Sequence, residues 1–118
     1  RLFESRPWQT LQPNPSIVVA GQGSGEDHIQ AARASDGKFL VVYVPRGNNL
    51  TIDMTKIDAS HATAYWFNPH DGKSNEIGKF LVSGTRDFSP PSRGVDNDWV
   101  LVLDDASQDF PPPGVPAT

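Results

Sequence analysis

The chain has 118 residues, no cysteine, and 14 acidic side chains against 10 basic ones, for a net charge of −4. This excludes a disulfide framework and a thiolate metal site, and the lack of any Lys/Arg-rich block removes the electrostatic footprint of nucleic-acid binding. Eleven prolines and ten glycines with 36% apolar residues describe one small domain of short strands and many turns, and the longest wholly apolar run, Phe39–Val44, is far too short for a membrane-spanning helix.

Residues 1–15 read as a connector. Leu2, Phe3, Trp8 and Leu11 are apolar, but Pro7, Pro13 and Pro15 allow at most a short helical turn. An irregular segment with such anchors is expected to lie against a surface, so Phe3, Trp8 and Leu11 are candidate docking residues. Residues 16–20, Ser-Ile-Val-Val-Ala, predict a first strand. The following Gly21-Gln22-Gly23-Ser24-Gly25-Glu26-Asp27 has glycines after a strand, as phosphate-binding loops do. It lacks the Gly-Lys-Ser/Thr ending, and its two acids would repel a phosphate. A plain loop is expected.

Asp36-Gly37 lies between residues 28–34 and Phe39–Val44, a pairing that predicts a hairpin over 28–44 closed by a type I′ turn. Leu50-Thr51-Ile52-Asp53-Met54 alternates apolar and polar, the pattern of a half-buried strand. Residues 55–60 connect it to a strongly β-forming run over 61–67. In that strand Tyr65 and Phe67 must face one way and Trp66 the other, so both faces of the sheet carry large rings. Asp71-Gly72 predicts a second tight return, into a strand over 75–82, which Ser83-Gly84 ends. Arg86-Asp87-Phe88 is expected at an edge. Residues 98–103 form a strand apolar on both faces, with Trp99, Leu101 and Leu103 opposite Val100 and Val102, and therefore central. Beyond Asp104 the chain turns polar, and residues 111–116 have polyproline character. About seven to eight short strands with turn signals at this spacing describe an all-β, antiparallel β-sandwich, jelly-roll-like or immunoglobulin-like. The domain is expected over 16–105, with a Pro-rich tail over 106–118.

The order of features is similar to one family. Gly25-Glu26-Asp27-His28-Ile29, Ala31-Ala32-Arg33-Ala34-Ser35-Asp36-Gly37, Val42-Tyr43-Val44-Pro45-Arg46-Gly47, Trp66-Phe67-Asn68-Pro69 with Gly72, Pro90-Pro91, and Asp98-Trp99-Val100-Leu101-Val102-Leu103 resemble the module labelled putative collagen-binding domain of a collagenase. Arg6-Pro7-Trp8 with Leu11 and Pro13 resembles the connector by which that module leaves the (β/α)8 domain of apiosidase-like glycoside hydrolases. The resemblance implies a non-catalytic C-terminal accessory domain that packs on and stabilises a preceding barrel in a secreted, periplasmic or cell-surface protein. Its partners would be that barrel and, as the alternative, a plant or microbial polysaccharide, with collagen a weaker third. Asn68 stands where an acidic residue is common, and His70-Asp71 where a basic and a small polar residue are common, so a charge-based role of this turn does not transfer.

The residues themselves offer little catalytic chemistry. His28, His61 and His70 have no His-x-His or His-Glu-x-x-His spacing, and no Gly-x-Ser-x-Gly elbow occurs. Glu26/Asp27, Asp96/Asp98 and Asp104/Asp105 are adjacent acids of the kind usually solvated in loops, whereas a glycosidase needs two carboxylates flanking a cleft. Asp96-Asn97-Asp98 and Asp104-Asp105 are hard oxygen donors that calcium accepts, but without EF-hand spacing, so no cofactor and no metal site is expected. The candidates for sugar binding are the aromatic Trp66, Tyr65 and Tyr43 with His70. Trp66 is expected to be packed rather than to serve as a platform.

Overall fold

The computed structural model describes residues 11–20, 29–45, 49–70, 72–92 and 98–108. Expectations for Phe3, Trp8, the glycine loop over 21–27 and the polyproline tail fall outside these residues. Nine strands form two antiparallel sheets among the described residues: β1 (Leu11–Pro13), β2 (Val18–Ala20), β3 (Gln30–Ala34), β4 (Phe39–Val44), β5 (Leu50–Asp53), β6 (His61–Asn68), β7 (Lys73–Leu81), β8 (Thr85–Phe88) and β9 (Trp99–Asp105). The larger sheet runs β1-β3-β4-β9-β6-β7 and the smaller β2-β5-β8. The fold is the all-β sandwich that the alternation of apolar residues predicts.

Strand β9 lies between β4 and β6, and all its residues are buried. Its alternation divides the apolar side chains into two layers. Trp99, Leu101 and Leu103 join Leu40, Val42, Val44, Ala62, Ala64 and Trp66 in the core facing the smaller sheet, which contributes Val18, Leu50, Ile52 and Phe88. On the opposite face Val100 and Val102 pack with Tyr65 and Phe67, against which Val41 rests. Cross-strand register builds that outer layer in rows, Val41–Val102–Tyr65 and Tyr43–Val100–Phe67. Such direct cross-strand neighbours are the unit of sheet stabilisation. The small side chains of Ala62 and Ala64 leave room for Trp66, whose ring meets Trp99 edge-on at 6.4 Å and 73°.

Several local expectations change. Leu11–Pro13, read as connector, is an edge strand paired with β3, Leu11 opposite Ala34. Proline is tolerated there because an edge strand has one side without a ladder partner. The first half of the 16–20 strand is instead a 3₁₀ turn, Pro15–Ile17, so β2 starts only at Val18. Asp53 ends β5 one residue early. Its carboxylate accepts from the Thr55 N–H (3.0 Å) and hydroxyl (2.6 Å) and caps a 3₁₀ turn over Met54–Lys56. Asp104 and Asp105 are buried residues of β9 rather than loop acids.

Neither Asp-Gly hairpin has a two-residue type I′ turn. Four residues separate β3 from β4, with the Gly37 N–H donating to the Ala34 carbonyl (2.8 Å) and the Lys38 N–H to Asp36 Oδ1 (3.0 Å). The aspartate side chain thus makes the local bond for which such residues favour turns, and only the glycine, at φ +75°, needs the left-handed region. Gly37 is also pressed on by the β5–β6 connection: its carbonyl accepts from the Asp58 N–H at 2.7 Å, and Arg33 Nε reaches the Lys56 carbonyl at 2.7 Å. At the far edge, Ala64 opposes Gly78 while Tyr65 opposes Glu76, so Ile77 is an extra, bulged residue and is exposed. A bulge together with Lys73 and Lys79 interrupts what would otherwise be a long pairing edge.

Candidate functional site

The structure separates the four aromatic and histidine candidates into two groups. Trp66 and Tyr65 are core side chains on opposite faces of β6, exposed by 5% and 7%, so neither offers a ring face to a ligand. The ring of Trp66 packs edge-on against Trp99. Tyr43 and His70 are exposed, and they converge on a third residue, Asp98. Leu11, the docking candidate within the described residues, is half-buried in edge strand β1.

Each member of the cluster is placed by local structure. Tyr43 projects from the outer face of β4, in register with Val100, and its hydroxyl donates to Asp98 Oδ2 at 3.1 Å. Asp98 immediately precedes β9. His70 belongs to the loop after β6, where the Asn68 side chain accepts from the His70 N–H (2.8 Å) and the Asn68 carbonyl from the Gly72 N–H (2.9 Å). This loop turns the ring so that Nε2 meets Asp98 Oδ1.

The electrostatics follow from the contacts. Burial favours the neutral acid at Asp98, but hydrogen bonds from His70, its own backbone N–H and Tyr43, with the His70 charge, outweigh it and hold the carboxyl below its ordinary range. Burial, the bond to Asp98 and the carboxylate's charge push the Tyr43 phenol up. An ionised carboxylate can only accept, so His70 Nε2 carries the proton.

The ring of Tyr43 also lines a groove of about 430 Å³ together with Pro13, Ile29, Gln30, Ala31, Ala32 and Val41. A smaller polar recess of about 120 Å³ on the same sheet is bordered by Thr63, Tyr65, Glu76, Lys79, Asp104 and Asp105. Asp105 also belongs to a hydrogen-bond network of its own. Burial raises its carboxyl, and the Ser107 N–H and hydroxyl with Lys38 more than reverse this, leaving it below the ordinary range. Asp104 and Asp105, consecutive in β9, both border this small recess, with Asp105 held by Ser107 and Lys38. Among the described residues no three of His, Cys, Asp and Glu are grouped to hold a metal. His70 and Asp98 form a dyad, but the hydroxyl beside them, that of Tyr43, bonds the carboxylate and not the imidazole. No activated nucleophile results.

Asp98 was visible in the sequence only as one of several acids. It lies 55 residues from Tyr43 and 28 from His70. The β4–β9 and β6–β9 registers, with Val44 opposite Trp99 and Phe67 opposite Val100, bring it beside them.

These features define a β-sandwich module. Residues 12–104 match the family described as "Putative collagen-binding domain of a collagenase", and the chain belongs to that family. Two solved structures are similar. One, a glycoside hydrolase, has 30% identity and a TM-score of 0.85, covering 93% of this chain and 24% of its own. The other, a glycoside hydrolase family 5 protein from Bacteroides vulgatus ATCC 8482, has 28% identity and a TM-score of 0.85, covering 98% of this chain and 25% of its own. The chain therefore spans about a quarter of the length of these glycoside hydrolases. No curated protein matches it.

Proposed function

We propose that the chain is a non-catalytic accessory domain of a glycoside-hydrolase-like protein, packing on its catalytic barrel and stabilising it. The observation that carries this reading is the match of nearly the whole sandwich to a quarter of two glycoside hydrolases, which leaves most of each such chain for another domain. Physical support comes from β1. The chain enters the larger sheet at this outermost strand, and Leu11 there is only half-buried. A domain interface within one chain typically buries about 600–1,500 Å², which the β1 edge and the residues preceding it can supply in part. Localisation outside the cytoplasm and the absence of a cofactor are parts of the same proposal. The polysaccharide alternative loses Trp66 and Tyr65 and keeps Tyr43 and His70.

Two measurements test the reading. The isolated chain should show no turnover above buffer on aryl glycosides and polysaccharides. Turnover that survives repurification and disappears on a single carboxylate substitution refutes the non-catalytic assignment. In the longer protein, removal of the sandwich should lower the melting temperature of the catalytic domain. A catalytic domain that melts at the same temperature without the sandwich refutes the stabilising role.

A further inference from the structure

We propose that the outer-face groove beside Tyr43 is a binding site for a neutral pyranose-containing oligosaccharide, with Tyr43 as the ring it stacks on and His70 as its polar contact. Two observations meet at Tyr43. Its ring walls a largely apolar groove lined also by Pro13, Gln30, Ala31, Ala32 and Val41, and its hydroxyl is anchored on Asp98, which also holds the imidazole of His70. The ring is 39% exposed although its phenol is fixed, so its orientation is set before any ligand arrives. Preorganisation of this kind lowers the ordering cost of binding.

The free polar atoms determine the ligand class. Tyr43 spends its proton on Asp98 and keeps acceptor lone pairs. His70 spends the Nε2 proton on the same carboxylate and leaves Nδ1 for a ligand. Among the described lining residues the Gln30 amide adds both donors and an acceptor. A site of this kind beside a carboxylate disfavours anions and suits a neutral ligand whose groups both donate and accept. Sugar hydroxyls meet that need, and the C–H face of a pyranose meets the apolar wall and the tyrosine ring. An ammonium or guanidinium group also donates, but it gains nothing from the proline, alanine and valine wall. A single aromatic contact makes a weak site, with dissociation constants at or above about 1 mM. Pro13 belongs to β1, the edge proposed to face the barrel, so the test uses the isolated chain, in which either reading can fail alone.

The test is amide chemical-shift titration of the chain with neutral xylo-, cello-, manno- and galacto-oligosaccharides, an oligogalacturonate as the anionic arm and a lysine-rich peptide as the cationic arm. The expected result is saturable shifts at Gln30, Ala32, Tyr43 and His70 with at least one neutral oligosaccharide. Tyr43→Ala should weaken this at least tenfold, and His70→Ala several-fold, with the rest of the spectrum unchanged. Tyr43→Phe, which keeps the ring but frees it from Asp98, should fall between the parent and Tyr43→Ala. The proposal is overturned if none of the neutral sugars shifts these residues, if the peptide or the oligogalacturonate binds there instead, or if binding survives Tyr43→Ala in a folded protein.

Discussion

Gly37 and Gly84 allow the strain of a turn to be separated from the packing around it. Both are left-handed, at φ +75° and +60°. A Cβ at Gly84 would meet nothing within 4 Å, whereas one at Gly37 would fall against the Arg33 guanidinium and 2.9 Å from Asp58 Cβ. Alanine at either position costs about 1–2 kcal/mol for the left-handed backbone. Reduced freedom of the unfolded chain offsets roughly 0.4–1 kcal/mol of that. Gly84→Ala should therefore destabilise by about 0.5–1 kcal/mol. At Gly37 the clash must also be relieved, and Arg33 can retreat only by giving up the charged bond to the Lys56 carbonyl, worth about 1.5–3 kcal/mol. The total there is about 3 kcal/mol. Urea unfolding monitored by tryptophan fluorescence measures both, and the Gly37 variant should melt about 8 °C below the Gly84 variant at roughly 4 °C per kcal/mol. If the two variants are equally stable within about 0.5 kcal/mol, the contact between the β3–β4 turn and the β5–β6 connection contributes nothing, and the reasoning fails.

Trp66→Ala should cost about 3–5 kcal/mol, as for other buried aromatics, because it empties the space against Trp99; a variant that keeps the parent's unfolding midpoint contradicts the core placement. Asp53, Asp98 and Asp105 all have carboxyls lowered by their hydrogen bonds, so in acid the unfolded chain binds more protons than the folded one. Their stabilisation is complete above the ordinary aspartate value and is lost as pH falls through the lower folded values. Unfolding midpoints should therefore drop as pH goes below about 4, and midpoints that hold steady or rise from pH 4 to 2.5 would count against these assignments. Burial, the hydrogen bond to Asp98 and that carboxylate's charge raise the Tyr43 phenol, so Asp98→Asn, which removes the charge, should move its ionisation, followed by ring-proton shifts, part of the way down toward the ordinary value; an unchanged titration means that the carboxylate's charge plays no part in it.

The sequence by itself determined the class of fold and most of the strands, because a strand's two-residue period prints the division between core and outer face directly into the order of side chains. Trp99, Leu101 and Leu103 against Val100 and Val102 is that division, and the two apolar layers follow it residue by residue. Trp66 likewise reads as a core residue from its type and its place in a strand apolar on both faces. What escaped was whatever depends on which strands are neighbours. Leu11–Pro13 looks irregular because a proline normally breaks a ladder, and only the vacant edge beside β3 makes it a strand. The Asp-Gly turns were legible as reversals, but not the contact that the first makes with a distant segment, where the Asp58 N–H bonds the Gly37 carbonyl. Tyr43, His70 and Asp98 carry no shared motif. They become a site because β9 pairs with both β4 and β6, which delivers the start of one strand, the outer face of another and the loop after a third to a single point.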